Sequence, residues 1–268
     1  MTQINGKYVL ITGGSRGLGP VIAEKLAQQG AHIALAARSP EGLTRVAETL
    51  KKYNVQTTHV AVDLAQPAQR QALVSTFLEQ FGAIDILINN AGIETEGAYL
   101  DLPWDKIREN IEVNLVAPME LAYLVLPRML EKKLGHIVNI ASIAGKCGGP
   151  YAAVYDATKA GLAEWAQGLR LELANTGVRF STIFPGFVTE VGMFARFGLT
   201  PPRMVGSCTP AQVAQAVAKA IEHNTLEVIV NSSPNRLLYA AKEIAPAFGD
   251  WVMVKSGAVD FQRKKVGL

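Results

Sequence analysis

Tyr8-Val9-Leu10-Ile11-Thr12-Gly13-Gly14-Ser15-Arg16-Gly17-Leu18-Gly19-Pro20 holds the transition that decides the fold of this chain. An apolar run of strand length passes directly into a turn spaced by glycines, and Leu18 opens a segment with helical periodicity. The same alternation continues outward. Strands are expected at Lys7–Thr12, His32–Ala37, Thr57–Val62, Ile84–Asn89, His136–Ala141, Val178–Phe184 and Glu227–Val230. Helical segments lie between them at about 17–29, 40–53, 67–81, 103–133, 152–176 and 210–223. Ser39-Pro40 and Thr209-Pro210 read as helix starts, a capping hydroxyl followed by a proline that suits the first turn. Such alternation implies a doubly wound, open α/β sheet of about seven parallel strands with helices on both faces. Its strands should be continuously apolar because both faces are covered; Ile84-Asp85-Ile86-Leu87-Ile88 is so except at Asp85.

Composition agrees with one domain. The 268 residues are 49% hydrophobic and 18% charged, with no internal repeat and no Gly/Ser linker. A chain this long buries a large core without disulfides or metal. Net charge is +3, and the only basic run is Arg263-Lys264-Lys265. No basic stripe with aromatic platforms points to nucleic acid. His32, His59, His136 and His223 are scattered without zinc spacing, so no metal is expected. Two cysteines, Cys147 and Cys208, fit a reducing cytoplasm better than a secreted scaffold. No early segment reads as a signal peptide, and no apolar run reaches about 18 residues.

Two regions break the rhythm. Residues 187–208 place Phe187, Phe194, Phe197 and Met204 among glycines and prolines, as expected of a substrate-covering loop. Residues 235–268 form an amphipathic extension with Leu237, Leu238, Ile244, Phe248, Trp251, Val252 and Phe261, read as a packed terminal helix pair. A dimer interface or a membrane-surface contact stays open for it.

The glycine turn has a chemical reading. Gly13, Gly17 and Gly19 let backbone amides approach a phosphate, and the positive end of the next helix favours the anion. The spacing is not that of a phosphate loop ending in Gly-Lys-Ser/Thr. Further on, Tyr155 and Lys159 stand four apart on one helix face. A phenol is a proton donor for a carbonyl oxygen, and a neighbouring ammonium stabilises its phenolate in the reverse direction. Ser142 ends the fifth strand at the carboxyl edge, where open α/β sheets bind ligands and where a hydroxyl can orient a substrate oxygen.

Together these motifs resemble the short-chain dehydrogenase/reductase family over roughly residues 6–230. Thr12-Gly13-x-x-x-Gly17-x-Gly19 matches its glycine pattern, and Asn89-Asn90-Ala91-Gly92 its motif after strand four. Asn114, Ser142, Tyr155 and Lys159 match the catalytic four in order and spacing. The resemblance implies that Tyr155 is the general acid/base, with Lys159 lowering its pKa and holding the nicotinamide ribose. It also implies that Ser142 orients substrate and Asn114 supports a proton relay. Asp63 and Leu64 would contact adenine, with Asn90, Ala91 and Gly92 near its ribose and Pro185-Gly186 beside the nicotinamide. The family's Pro-Gly-x-x-x-Thr is altered here. Thr189 comes one place early and Glu190 takes its position, so Val188 and Thr189 share the expected carboxamide contact.

The second strand ends in Ala36-Ala37-Arg38-Ser39, without the acid that holds a ribose 2′-hydroxyl in NAD enzymes. Arg38 offers a planar charged fork to a 2′-phosphate, flanked by Ser15, Arg16, Leu18 and Ser39, so NADP is expected. The sequence thus predicts hydride transfer between NADP(H) and a carbonyl or secondary alcohol, the apolar loop favouring an apolar substrate. The resemblance implies a homodimer or homotetramer. An NAD-dependent alcohol dehydrogenase and a non-catalytic NADP-sensing protein remain open alternatives.

Overall fold

The computed structural model describes residues 2–202, 205–233 and 235–268; Met204 of the apolar loop lies outside them. The first half runs β1 (Tyr8–Thr12), α1 (Leu18–Gln28), β2 (His32–Ala37), α2 (Pro40–Leu50), β3 (Thr57–Ala61), α3 (Pro67–Phe81) and β4 (Ile86–Asn89). After β4 come α4 (Trp104–Ile111), a π-helical turn at Glu112–Val116, α5 (Ala117–Glu131) and β5 (Gly135–Ile140). Then follow α6 (Ala153–Glu172), β6 (Val178–Pro185), β7 (Phe187–Val188), α7 (Gly192–Ala195), β8 (Ser207–Cys208), α8 (Pro210–His223) and β9 (Glu227–Val230). Three helices close the chain: α9 (Asn235–Ile244), α10 (Pro246–Lys255) and α11 (Ala258–Lys265).

Seven strands form one parallel sheet in the order β3-β2-β1-β4-β5-β6-β9. Successive side chains point to opposite faces, so Val9 and Ile11 join one core with α1, α2 and α8. Leu10 joins the other, with α3, α5 and α6. The strand order reverses between β1 and β4, which pair with Val9 opposite Ile86. A crevice opens beyond the carboxyl ends of the strands at such a reversal.

Local chemistry sets the boundaries. Ser39 caps α2 by accepting from the Gly42 N–H at 3.1 Å. Thr209 and Gln212 form a reciprocal capping box on α8. Asp85, expected inside a strand, precedes β4 and accepts from the Tyr8 N–H at 3.1 Å, tying the start of β1 to its neighbour. β3 is the sheet edge and half-exposed, which is why it carries Thr57, Thr58 and His59 instead of an unbroken apolar run.

Four expectations are corrected. The 103–133 segment is not a plain α-helix, because its register slips through the π turn. This helical rod is long and apolar enough to cross a membrane, yet buried Arg70 on α3 grips it through Glu112 and Glu120. Residues 51–53 tighten into a 3-10 turn, ended by Asn54 in the left-handed region. The apolar loop contains a two-stranded parallel ribbon, Phe187 opposite Ser207. The terminal extension is three helices rather than two, since Gly257 at φ 76° breaks the last segment away from α10.

Candidate active site

The crevice between β1 and β4 is built by backbone economy. A side chain on Gly19 would stand 2.2 Å from the Gly13 carbonyl oxygen, and one on Gly13 would strike Asn90 and Ala91. Only glycine lets the turn and α1 close this tightly. Thr12 locks the edge: its hydroxyl donates to the Ile88 carbonyl at 3.2 Å and accepts from the Asn90 and Ala91 N–H groups at 3.0 Å. Asn90 Nδ2 donates to the Thr12 carbonyl at 2.9 Å. α1 starts at Gly17 with no side-chain cap, so its first N–H groups and the positive end of its dipole are presented unmasked. That is the donor set a pyrophosphate requires, and these residues fit a dinucleotide.

Around the turn, Ser15 and Leu18 are half-buried and Arg16 is exposed. Arg38 follows β2 with its side chain 58% exposed, 3.9 Å from Glu109. Ser39 is more committed than its sequence position suggests, for its hydroxyl also donates to Glu41 at 3.1 Å. Asp63 accepts from the Ala65 N–H at 3.0 Å and Leu64 is buried beside it. Past β6, the Gly186 N–H donates to the Val230 carbonyl at 2.9 Å. Pro185 and Val188 are buried, while Thr189 is exposed with its N–H donating to the Cys208 carbonyl at 3.2 Å.

The catalytic candidates converge on the same edge. Tyr155 and Lys159 lie near the start of α6, both nearly fully buried. Lys159 Nζ stands 5.6 Å from the Tyr155 ring centre and donates to the Ile140 carbonyl at 3.0 Å. Ser142 follows β5, accepts from the Ala144 N–H at 3.2 Å, and lies near enough to the Tyr155 hydroxyl to favour its ionised form. A side chain on Gly92 would sit 3.3 Å from Asn114 Oδ1 and 3.4 Å from Lys159 Nζ, so all three groups meet there. Asn114 occupies the π turn, a distortion frequent at functional sites. Its amide is wholly engaged: Oδ1 accepts from the Ile93 N–H, and Nδ2 faces the Ile93 carbonyl, Asn110 Oδ1 and Thr158 Oγ1. The side chain therefore fixes the loop after β4 against α6.

Burial dominates the electrostatics of Tyr155. Burial, and then the charge of Glu94, push the phenol above its ordinary value, with Ser142 acting the other way. Burial also lowers Lys159 to about 8. An upward shift keeps the phenol protonated at neutral pH, the state in which it donates.

Sequence reasoning missed a second cluster. Lys265, on α11, has a side chain only 2% exposed, and its Nζ donates to Glu94 Oε1 and Glu96 Oε1 at 2.7 Å each. Both acids follow β4 directly. Phe261, one turn earlier on α11, packs 5.4 Å from Phe187 and 6.1 Å from Phe194, ring centre to ring centre. The available signal was Glu94-Thr95-Glu96 directly after Asn-Asn-Ala-Gly-Ile, two carboxylates at the active edge with no local cation.

A parallel sheet with an uncapped helix at its switch point, and buried Tyr155 and Lys159 beside half-buried Ser142, defines a dinucleotide-dependent oxidoreductase class. The chain matches the short chain dehydrogenase family over residues 7–200 and belongs to it. It is 41% identical over 270 residues to the ketoacyl reductase HetN of Nostoc sp., covering 99% of this chain and 94% of that protein. Among solved structures it resembles a metagenomic short-chain oxidoreductase in complex with NADP, with TM-score 0.74 and 32% identity over 85% of this chain and 98% of that one. It also resembles an actinorhodin polyketide ketoreductase with NADPH, with TM-score 0.78 and 30% identity over 88% of this chain and 98% of that one.

Proposed function

We propose that this oxidoreductase uses NADP(H) to reduce an apolar ketone. The observation that carries the reading is the buried Tyr155 on α6, with Lys159 Nζ 5.6 Å from its ring centre and Ser142 close to its hydroxyl. The aromatic wall of Phe187, Phe194 and Phe261 supplies an apolar surface on the loop and C-terminal side. Two relatives are a ketoacyl reductase and a polyketide ketoreductase, which supports a keto group carried on an acyl chain as the substrate class.

When bound, the reduced nicotinamide supplies the hydride to the carbonyl carbon. Gly13, Gly17 and Gly19 with the α1 N–H groups would hold its pyrophosphate, Asp63, Leu64 and Asn90 the adenosine, and Lys159 the nicotinamide ribose. Val188 and Thr189 remain the proposed carboxamide contacts, through the backbone at Val188. Arg38 stands exposed where NAD enzymes keep an acid, which supports recognition of a 2′-phosphate. Ser142 orients the substrate oxygen, Tyr155 gives it a proton, and Lys159 sits where its ammonium can favour the phenolate left behind. Asn114 fixes the loop that Lys159 faces.

A cytoplasmic homo-oligomer completes this reading. It is supported by free thiols at Cys147 and Cys208 and by the exposed Leu237, Ile244, Phe248, Trp251 and Val254 of α9 and α10. The direct test is NADPH oxidation across a panel of ketones graded from charged to long-chain. Turnover that rises with apolar character, and fails with NADH, is expected. Tight NADPH binding without turnover of any ketone would favour the sensing protein instead; equal use of NADH would favour the NAD enzyme.

A further inference from the structure

We propose that Lys265 is a positioning residue for the reaction, an ammonium delivered by the C-terminal helix that offsets the negative charge of Glu94 and Glu96 in the segment after β4. The inference rests on Tyr155 being the acid/base group and adds to it a residue 110 positions later in the chain.

Three observations converge. First, burying a lysine this deeply is costly unless the charge is paired. Both partners are themselves buried carboxylates, with side chains 9% exposed. Two acids so close repel each other, and Glu96 accordingly rises to about 7, through burial first and Glu94 second, with Lys265 opposing both. Second, the pair stands in the electrostatic field of the active site. Of the charged groups acting on the Tyr155 hydroxyl, Glu94 is the strongest, followed by Asp156 and Glu96, and all three disfavour phenolate. Lys265 is the ammonium bonded directly to that pair, and it also acts on Asp156. Arg196 lies farther from Glu94, at 3.8 Å and on an exposed side chain. Third, the ammonium cannot be in place without the helix. Phe261 packs on the Phe187–Phe194 pair, Arg263 Nε donates to the Tyr151 hydroxyl at 3.3 Å, and Lys265 Nζ lies 5.0 Å from the Phe197 ring centre. α11 thus joins the loop after β6 to the segment after β4.

The sign of the effect follows. Removing Lys265 leaves uncompensated negative charge near the phenol and makes phenolate harder to form. In the alcohol-oxidising direction, where phenolate is the base, the pH midpoint of kcat/KM moves upward; in reduction the alkaline fall moves upward too. The groups that act on the phenol are Glu94 and Glu96 after β4, Ser142 after β5 and Asp156 on α6, and the Lys159 ammonium stands 5.6 Å from its ring centre.

The test is the pH profile of alcohol oxidation at saturating NADP, using the alcohol of whichever ketone the panel yields, for the full chain and its variants. Lys265→Met should raise the midpoint, by less than the about one unit that an opposite charge in direct contact gives, and slow oxidation correspondingly below it. Proteolysis near residues 255–258 should accelerate as α11 loosens. Lys265→Arg should keep the wild-type midpoint, and Glu94→Gln in the Lys265→Met background should bring it back down. Should Lys265→Met fail to fold, Glu94→Gln alone should lower the midpoint below wild type. A wild-type midpoint in Lys265→Met, whatever happens to KM or thermal stability, would reduce the lysine to packing and overturn the inference while leaving the acid/base reading intact. A wild-type chain that turns over nothing removes both.

Discussion

In the proposed reaction, Arg38 and Tyr155 divide the residue-scale chemistry between cofactor recognition and proton transfer. Arg38 stands after β2 with only a loose ion pair to Glu109, so its guanidinium is available for a phosphate without first breaking a strong contact. Arg38→Asp should weaken NADPH binding about ten- to hundredfold, the worth of one charged hydrogen-bonded contact, and leave NADH binding nearly unchanged. Fluorescence titration with both cofactors checks this; equal loss for both would remove Arg38 from phosphate recognition. These residues were legible because each sits next to a local marker, a strand end or an i, i+4 helix pair. The direction of the Tyr155 shift was not legible. It depends on burial and on Glu94, neither of which spacing reveals.

At the scale of elements, the helix that carries Asn114 is held in place by one buried cation. Arg70 on α3 donates from Nη1 to Glu112 at 2.7 Å and to the Leu64 carbonyl at 2.6 Å, and from Nε to Glu120 at 2.6 Å. It thereby joins α3, the loop bearing Leu64, the π turn and α5. Arg70→Met should lower the unfolding free energy by about 2 kcal/mol, less than the about 3–5 kcal/mol for a fully buried pair, because Glu112 and Glu120 are about 30% exposed and rehydrate. Urea unfolding measures it; an unmoved midpoint would show that the packing does not need the charge. Most elements were legible to within a residue or two, since α8 and β2 announce themselves by caps and continuous apolar runs. The π turn was not, because Glu112-Val113-Asn114-Leu115-Val116 keeps a helical pattern, and the register slip belongs to its contacts with Ile93 and Thr158. Arg70 likewise reads as a surface residue in Pro67-Ala68-Gln69-Arg70 until α5 is brought against it.

Across the whole molecule, the candidate site and the segment after β4 are contacted from both ends of the chain. The sheet switch point brings Gly13 to Asn90, and the last helix returns Lys265 to Glu94 across 171 positions. The first contact is implied by strand order, which alternation of strands and helices predicts. The second is not, because three short helices after β9 can pack in many ways, and Arg263-Lys264-Lys265 looks like a solvated tail. The account's central claim is that one phenol, Tyr155, passes the proton. Comparing NADPH-dependent ketone reduction by the wild type and Tyr155→Phe, with NADPH affinity measured on the same samples, tests it most directly. The rate should fall by about a hundred- to ten-thousandfold, the usual worth of a general acid, while affinity stays within about twofold. A Tyr155→Phe chain that reduces the ketone at the wild-type rate would contradict the account.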